Sequence, residues 1–257
     1  MTIAAIIQAR IGSRRLPGKV LAKIGPHPVL GHVIDRVRAA QEVDRVLVAT
    51  STMSRDDPID EFCKLWRTEC VRGSETNVLS RFMLAARLSE AEVMVRITAD
   101  CPLVSPNVID QVTRELKSAL ADYSSNTLTR TFPHGLDTEC FTFSALASTE
   151  IYATSPYDLE HVTPLIYNQP DIYRLVSCEN AQDRSHYRIT LDTQADLDLL
   201  RALHEHDESC YAPQSPWTSI PDLIEKVPKL RGLHRVAKAV EAEANGTYPP
   251  TEDNGDL

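Results

Sequence analysis

The segment Gln8-Ala-Arg-Ile-Gly-Ser-Arg-Arg-Leu-Pro-Gly-Lys19 sets Arg10, Arg14, Arg15 and Lys19 beside Gly12 and Gly18. Glycines let backbone N–H groups come close to an anion, and arginines grip phosphate oxygens in pairs. The pattern suits phosphates. It is not a Walker A loop: five residues, Ser13 to Pro17, separate Gly12 from Gly18-Lys19 where that loop has four, and Val20 stands where a magnesium-binding Ser or Thr is needed. ATPase and GTPase readings therefore lose their main support. A solvated basic loop is the usual fate of a charge cluster, but the glycines and a place at a strand end weigh against it.

Two acidic residues complement this loop. Asp100 follows the apolar run Val93 to Thr98, and Asp192 ends the run Tyr187 to Leu191, so both carboxylates reach the sheet edge that carries the arginines. A pair of carboxylates opposite a polyphosphate site is what hard, oxygen-seeking magnesium (Mg2+) requires, which points to metal-assisted phosphoryl or nucleotidyl transfer. Taken singly, Asp100 reads as a turn residue before Cys101-Pro102 and Asp192 as a helix cap. Arg72-Gly73-Ser74 is a third polar turn after a strand; it lines a base or sugar pocket or merely joins strand to helix. In Gly135-Leu-Asp137-Thr-Glu139, alternation puts Asp137 and Glu139 on one strand face, for substrate hydroxyls or an ammonium, or as a charged edge. His161, beside Glu160, lies on a helix interrupted by Pro164, where a histidine is more often structural than a base. His204 and His206 read as solvated surface.

The elements that must position these groups alternate. Ile3 to Ala9 is a buried strand. From Pro28, Val29, Leu30, Val33, Ile34 and Val37 share a helical face, and Val46 to Ala49 forms the next strand. Asp57-Pro58 opens a helix with Ile59, Phe62, Cys63 and Trp66 as its buried stripe. Cys70 to Arg72, a helix carrying Val78, Leu79, Phe82, Met83 and Ala86, and Val93 to Thr98 follow. Ser105 caps a helix whose Val108, Ile109, Val112, Leu116 and Leu120 recur at helical spacing. Such alternation implies an α/β fold with a Rossmann-like, doubly wound, mostly parallel sheet. It breaks after Asp122: 122–186 reads as an inserted α+β subdomain within a core domain 1–206. Tyr187 to Leu191 then returns to the main sheet as a strand, and Thr193 with Asp196 makes a capping box. A helical extension spans 207–244, and 245–257 reads as a disordered tail.

The chain has 257 residues, 42% hydrophobic and 25% charged, as in soluble globular proteins. With 36 Asp+Glu against 27 Lys+Arg its net charge is -9, the wrong sign for coating a nucleic-acid polymer. The six cysteines are scattered, without a CxxC pair, and read as reduced thiols in a cytoplasmic protein. No apolar run approaches the roughly 20 residues that cross a membrane, and the opening segment lacks a basic region ahead of it, so it reads as a first strand and not a signal peptide.

Ile6-Ile-Gln-Ala-Arg-Ile-Gly-Ser-Arg-Arg-Leu-Pro-Gly-Lys-Val-Leu21 resembles the opening motif of the cytidylyltransferase family that includes the CMP-sugar-acid synthetases, most closely the branch of spore-coat polysaccharide biosynthesis protein F. Further motifs follow in the family's order: Arg72-Gly-Ser74 with Asn77-Val-Leu79, Arg96-Ile-Thr-Ala-Asp-Cys-Pro-Leu103, Tyr123-Ser-Ser-Asn126, Gly135-Leu-Asp-Thr-Glu139, Glu160-His-Val-Thr-Pro164 and Arg188-Ile-Thr-Leu-Asp-Thr193. The resemblance implies a nucleotidyltransferase fold like that of type A glycosyltransferases. It also implies use of CTP with magnesium, a small anionic acceptor (sugar acid, sugar phosphate or phosphonate), and a homodimer formed through the inserted subdomain. Arg10, Arg15 and Lys19 would hold the triphosphate, in a nucleotide site also drawing on Ala9, Gly12, Ser13, Arg72, Ser74 and Thr98. Asp100 and Asp192 would ligate magnesium, while Asn126, Asp137, Glu139, Glu160, His161 and Arg188 would face the acceptor. Arg14, Ser80 and Ala99 depart from the family pattern. Two rivals share the fold: a glycosyltransferase using a preformed nucleotide sugar, which needs no arginine loop for a γ-phosphate, and a nucleotide-binding module without turnover, against which both aspartates argue.

Overall fold

In the computed structural model, which describes residues 1–246, Ile3 to Ile7 of β1 (Ile3–Gln8) are at most 3% exposed. A strand covered on both faces can afford an unbroken apolar run, and β1 is flanked on both sides by parallel partners, β4 (Arg45–Ser51) and β6 (Val93–Thr98). Gln8 sits opposite Ala49 on one side and Thr98 on the other, so three strands end at one edge. β5 (Glu69–Gly73) adds outside β4, also parallel. The chain thus winds from β1 outward through β4 to β5, then crosses to β6 on the opposite side. That reversal opens a crevice beyond the carboxyl ends of β1 and β6, where ligands bind in such sheets.

A small hairpin of β2 (Lys23–Ile24) and β3 (His27–Pro28) precedes α1 (Val29–Arg38); α2 (Asp57–Leu65), α3 (Val78–Ser89) and α4 (Pro106–Ala119) make later crossovers. Ile3, Ala5 and Ile7 pack on one sheet face with Leu30, Val33 and Ile34 of α1 and Val108, Ile109 and Val112 of α4. Ala4 and Ile6 face the other way, toward Phe82, Met83 and Ala86 of α3. Three details of the expected stripes differ. Leu120 caps α4 in a left-handed conformation (φ 49°) and is exposed. The Ser105 hydroxyl makes no capping bond; its backbone carbonyl takes the Val108 and Ile109 N–H groups. Trp66 lies just past α2, half-buried, stacked on Phe62 and donating Nε1–H to Asp35.

The segment 122–186 does not build a separate sheet. β7 (Tyr123–Ser125), β8 (Glu139–Thr142) and β9 (Leu175–Ser177) complete a seven-stranded order β5-β4-β1-β6-β8-β7-β9. β8 fills the free edge of β6 antiparallel, and α5 (Phe143–Tyr152), α6 (Pro156–His161) and α7 (Pro164–Tyr167) follow it. Tyr187 to Leu191, expected as a strand, is extended but joins no ladder. It is clamped by a single bridge, His134 to Arg188, and by Leu191 N–H donating to the Asp100 carbonyl at 2.8 Å. Gly135 permits that clamp: its φ is +116°, and a Cβ there would stand 2.7 Å from the Ile189 carbonyl carbon.

Thr193 and Asp196 form the expected capping box on α8 (Gln194–His206); α10 (Pro228–Ala244) packs on α8, and α9 (Ser219–Lys226) packs on α10. Arg36, fully buried on α1, ties this carboxyl-terminal part to the core by donating to the carbonyls of Val104, Cys210, Ala212 and Ser215. All six cysteines are free, and no described helix is long and apolar enough to cross a membrane. Residues 247–257, within the expected disordered tail, lie outside the described residues.

Candidate active site

The loop after β1 is fixed by its backbone. Ile11 N–H donates to Asp56 Oδ1 at 2.7 Å, Gly18 N–H returns to the Ile11 carbonyl at 3.0 Å, and Ser13 Oγ accepts from Leu16 N–H. Gly18, at φ +76°, then lets one 3-10 turn, Lys19–Leu21, swing the Lys19 side chain inward. Its Nζ donates to Asp100 Oδ2 at 2.7 Å, Asp192 Oδ1 at 2.8 Å and the Leu191 carbonyl at 2.8 Å. All three ammonium protons are taken. The sequence expectation that the arginine loop, Asp100 and Asp192 converge holds, but Lys19 gathers the two carboxylates, and its ammonium has no proton left for a phosphate.

Charge sets the protonation states here. Burial alone would push Lys19 down; Asp100 and Asp192 outweigh it and hold the ammonium above its usual value. Burial would likewise raise Asp192, yet Lys19, Arg188 and Arg15 bring its carboxyl down to about 2. Arg15 Nη2 stands 3.0 Å from Asp192, and its Nη1 donates to Glu241 at 2.6 Å. Two hard-oxygen carboxylates drawn to one cation fit magnesium, which takes one or two carboxylates plus substrate phosphates and keeps its waters. Among the described residues no group of three or more His, Cys, Asp or Glu could hold a metal, so the remaining ligands would come from substrate and water.

Two cavities meet at Thr98. The first, about 360 Å3, is lined by Arg10, Ser13, Arg14, Arg15, Lys19, Asp100, Asp192 and Glu160, with Gln8 and Ala99 at the strand ends. Arg10 donates to Glu160 at 3.0 Å. The second, about 480 Å3, is lined by Arg96, Arg130, Asp137, Glu139, His161, Thr163 and Tyr167. Asp137 and Glu139 do share that cavity, as alternation predicts, but both are engaged within the protein. Arg130 grips Asp137 through two bonds of 2.6 and 2.8 Å. Glu139 accepts from Arg96, Tyr123 and Thr163, which leaves it a support for Arg96. Burial and then Glu139 push the Tyr123 hydroxyl well above its ordinary pKa.

Other expected site residues lie behind these walls. Arg72 and Ser74 line neither cavity: Arg72 donates to the carbonyls of Ser51 and Met53 and pairs with Asp57, and the Ser74 carbonyl accepts from Arg81. Asn126 is buried and clamps Leu136 and Thr138. Ala9 is buried against Ala49, and Gly12 lies beside Arg55. Arg188 is buried behind the first cavity, bound through Nε and Nη2 to Asp196 and through Nη2 to Asp192. Its backbone N–H donates to His234 Nε2, which must be neutral to accept; burial pushes that imidazole down to about 4. Sequence reasoning missed Gln8, Arg96, Arg130, Thr163, Tyr167 and Glu241 as site residues. Arg96 alone carried a signal, being a charged side chain in a buried strand, two residues before Thr98 and so on its face.

A doubly wound sheet with a cation-rich cavity and paired carboxylates at its switch point defines a nucleotidyltransferase-like protein. The chain belongs to the cytidylyltransferase family, whose model matches residues 4–215. It is 34% identical over 230 residues to spore coat polysaccharide biosynthesis protein SpsF of Bacillus subtilis, a match covering 86% of this chain and 92% of that protein. It is 36% identical over 117 residues to the 3-deoxy-manno-octulosonate cytidylyltransferase of Idiomarina loihiensis, covering 45% of this chain and 46% of that protein. Among solved structures, a cytidylyltransferase from Leptospira borgpetersenii superposes with a TM-score of 0.84 at 29% identity, covering 90% of this chain and 96% of its own. The chain is a nucleotidyltransferase.

Proposed function

We propose that this protein transfers CMP from CTP to a small anionic acceptor of the sugar-acid, sugar-phosphate or phosphonate kind. An acceptor oxygen attacks the α-phosphorus in line, the bond from that phosphorus to the bridging oxygen breaks, and pyrophosphate departs with the electron pair. The observation that carries the reading is the Lys19 ammonium holding Asp100 and Asp192 together at the wall of the arginine-lined cavity. Arg10, Arg14 and Arg15 neutralise the polyphosphate, and Asp100 and Asp192 would hold magnesium, which when bound supplies charge stabilisation to the leaving group. Lys19 orients both carboxylates and helps to hold Asp192 ionised. An acceptor that arrives as an anion needs no strong base; for an alcohol, His161 in the second cavity is the nearest candidate.

The test is pyrophosphate release over a panel of anionic acceptors with CTP and magnesium. Asp100→Ala and Asp192→Ala should each lower it by about a thousandfold or more, with cooperative thermal unfolding retained. Turnover kept by both folded variants would reject the assignment. CTP binding with no turnover on any acceptor would favour the module without transfer.

The exposed Ile151, Tyr152 and Ile172 beside a cavity of about 590 Å3 that Tyr152 and Ile172 line support a homodimer through this face. Sedimentation equilibrium should show twice the chain mass; a monomer throughout the micromolar range would exclude it.

A further inference from the structure

Helix α10 lies beyond the residues that match the family, yet it reaches the site. Glu241 Oε2 accepts from Arg15 at 2.6 Å and stands 3.2 Å from Arg188 Nη2. The same two arginines meet Asp192 at 3.0 and 2.9 Å. Arg15, Asp192, Arg188 and Glu241 therefore close a ring of alternating charge, and both terminal nitrogens of Arg15 are engaged by carboxylates of the protein. A phosphate that takes Arg15 through two oxygens must displace one of them. Asp192 is also held by Lys19 and by Arg188. Besides Arg15, Glu241 Oε2 has Arg188 and Oε1 accepts from the exposed Asn245 amide at 3.1 Å; Arg188 keeps Asp196 and Asp192 if Oε2 leaves, and the Asn245 bond does not involve Oε2. Glu241 is the carboxylate that can yield.

We infer that Glu241 competes with the triphosphate for Arg15 and so sets the affinity for CTP and for departing pyrophosphate. The inference rests on the reading that Arg15 binds the nucleotide. Before binding, Glu241 keeps Arg15 extended and charge-balanced; afterwards it stands ready to retake the guanidinium as pyrophosphate leaves. A negative side chain beside a polyanion site also weakens binding by repulsion.

Calorimetry with CTP and steady-state kinetics on the full chain test this. Glu241→Gln should bind CTP about fivefold more tightly, with KM for CTP and the pyrophosphate inhibition constant falling together. Glu241→Ala should shift both in the same direction. Arg15→Ala should weaken CTP binding and make Glu241→Gln silent in its background. A merely structural Glu241 would leave KM unchanged or raise it; that result, with Arg15→Ala still weakening CTP, overturns the competition and leaves the proposed function standing. CTP affinity unaffected by Arg15→Ala overturns both.

Discussion

Lys19→Met should reduce CMP transfer by about a thousandfold, the scale of losing a charged group at the centre of a phosphoryl-transfer site. The substitution keeps the apolar stem and deletes the one nitrogen on which Asp100, Asp192 and the Leu191 carbonyl converge within 2.7–2.8 Å. Two carboxylates would then face each other with less to hold them in place. Lys19→Arg should not rescue, because a planar fork cannot put one nitrogen on all three oxygens. The pH dependence of stability gives a second readout. Asp192 is depressed from 3.8 to about 2, so the stability it contributes, on the order of 2 kcal/mol, is present above pH 3.8 and lost as pH falls toward 2. In Lys19→Met the carboxyl returns toward its ordinary value, and that acid-labile share of stability should shrink. Pyrophosphate release and denaturant titrations between pH 2 and pH 6 measure the two effects. A variant within tenfold of wild-type turnover would refute the role given to Lys19.

Arg36→Met should cost about 4 kcal/mol of folding stability. Arg36 is fully buried, donates to four backbone carbonyls, and has no carboxylate against it; burial lowers its pKa to about 10. Methionine fills much of the space of the stem but takes the guanidinium from four carbonyls, of which those of Val104 and Cys210 are buried, while Ala212 keeps the Ser215 N–H; three of the four belong to the segment that leads from α8 to α9. Lys at this position offers three protons from a single nitrogen and should recover only part of the loss. Urea unfolding monitored by circular dichroism measures the difference; a loss below about 1 kcal/mol would refute the account.

The sheet half built by β1, β4, β5 and β6 was legible because its periodicity changes cleanly between strand and helix, and the loop after β1 because glycines and cations coincide there. Asp100 and Asp192 were legible from their places at the ends of apolar runs. Tyr187 to Leu191 misled for a physical reason: it is apolar because it is buried, yet burial comes from wedging against Gly135 and Asp100, not from a ladder. Asn126, Glu139 and Arg188 carry the residue types of binding groups, and only geometry shows that their partners are Leu136 and Thr138, Arg96, and Asp196. Glu241 had no signal at all, since nothing in an amphipathic helix tells which polar residue will meet a guanidinium more than two hundred positions away.

The meeting of the two cavities at Thr98 makes two compartments that share one wall. The first cavity draws mainly on loops after β1 and β6, and the second on β6 itself, the connection from β7 to β8, Glu139 of β8 and residues of α6 and α7. On the proposed reading, with the nucleotide in the first cavity and the acceptor in the second, substitutions among the latter would change which acceptor is taken while leaving the phosphate contacts in place. Arg96 donates to Gln8 at 3.1 Å across the seam, so a change at either side chain would be felt in both cavities.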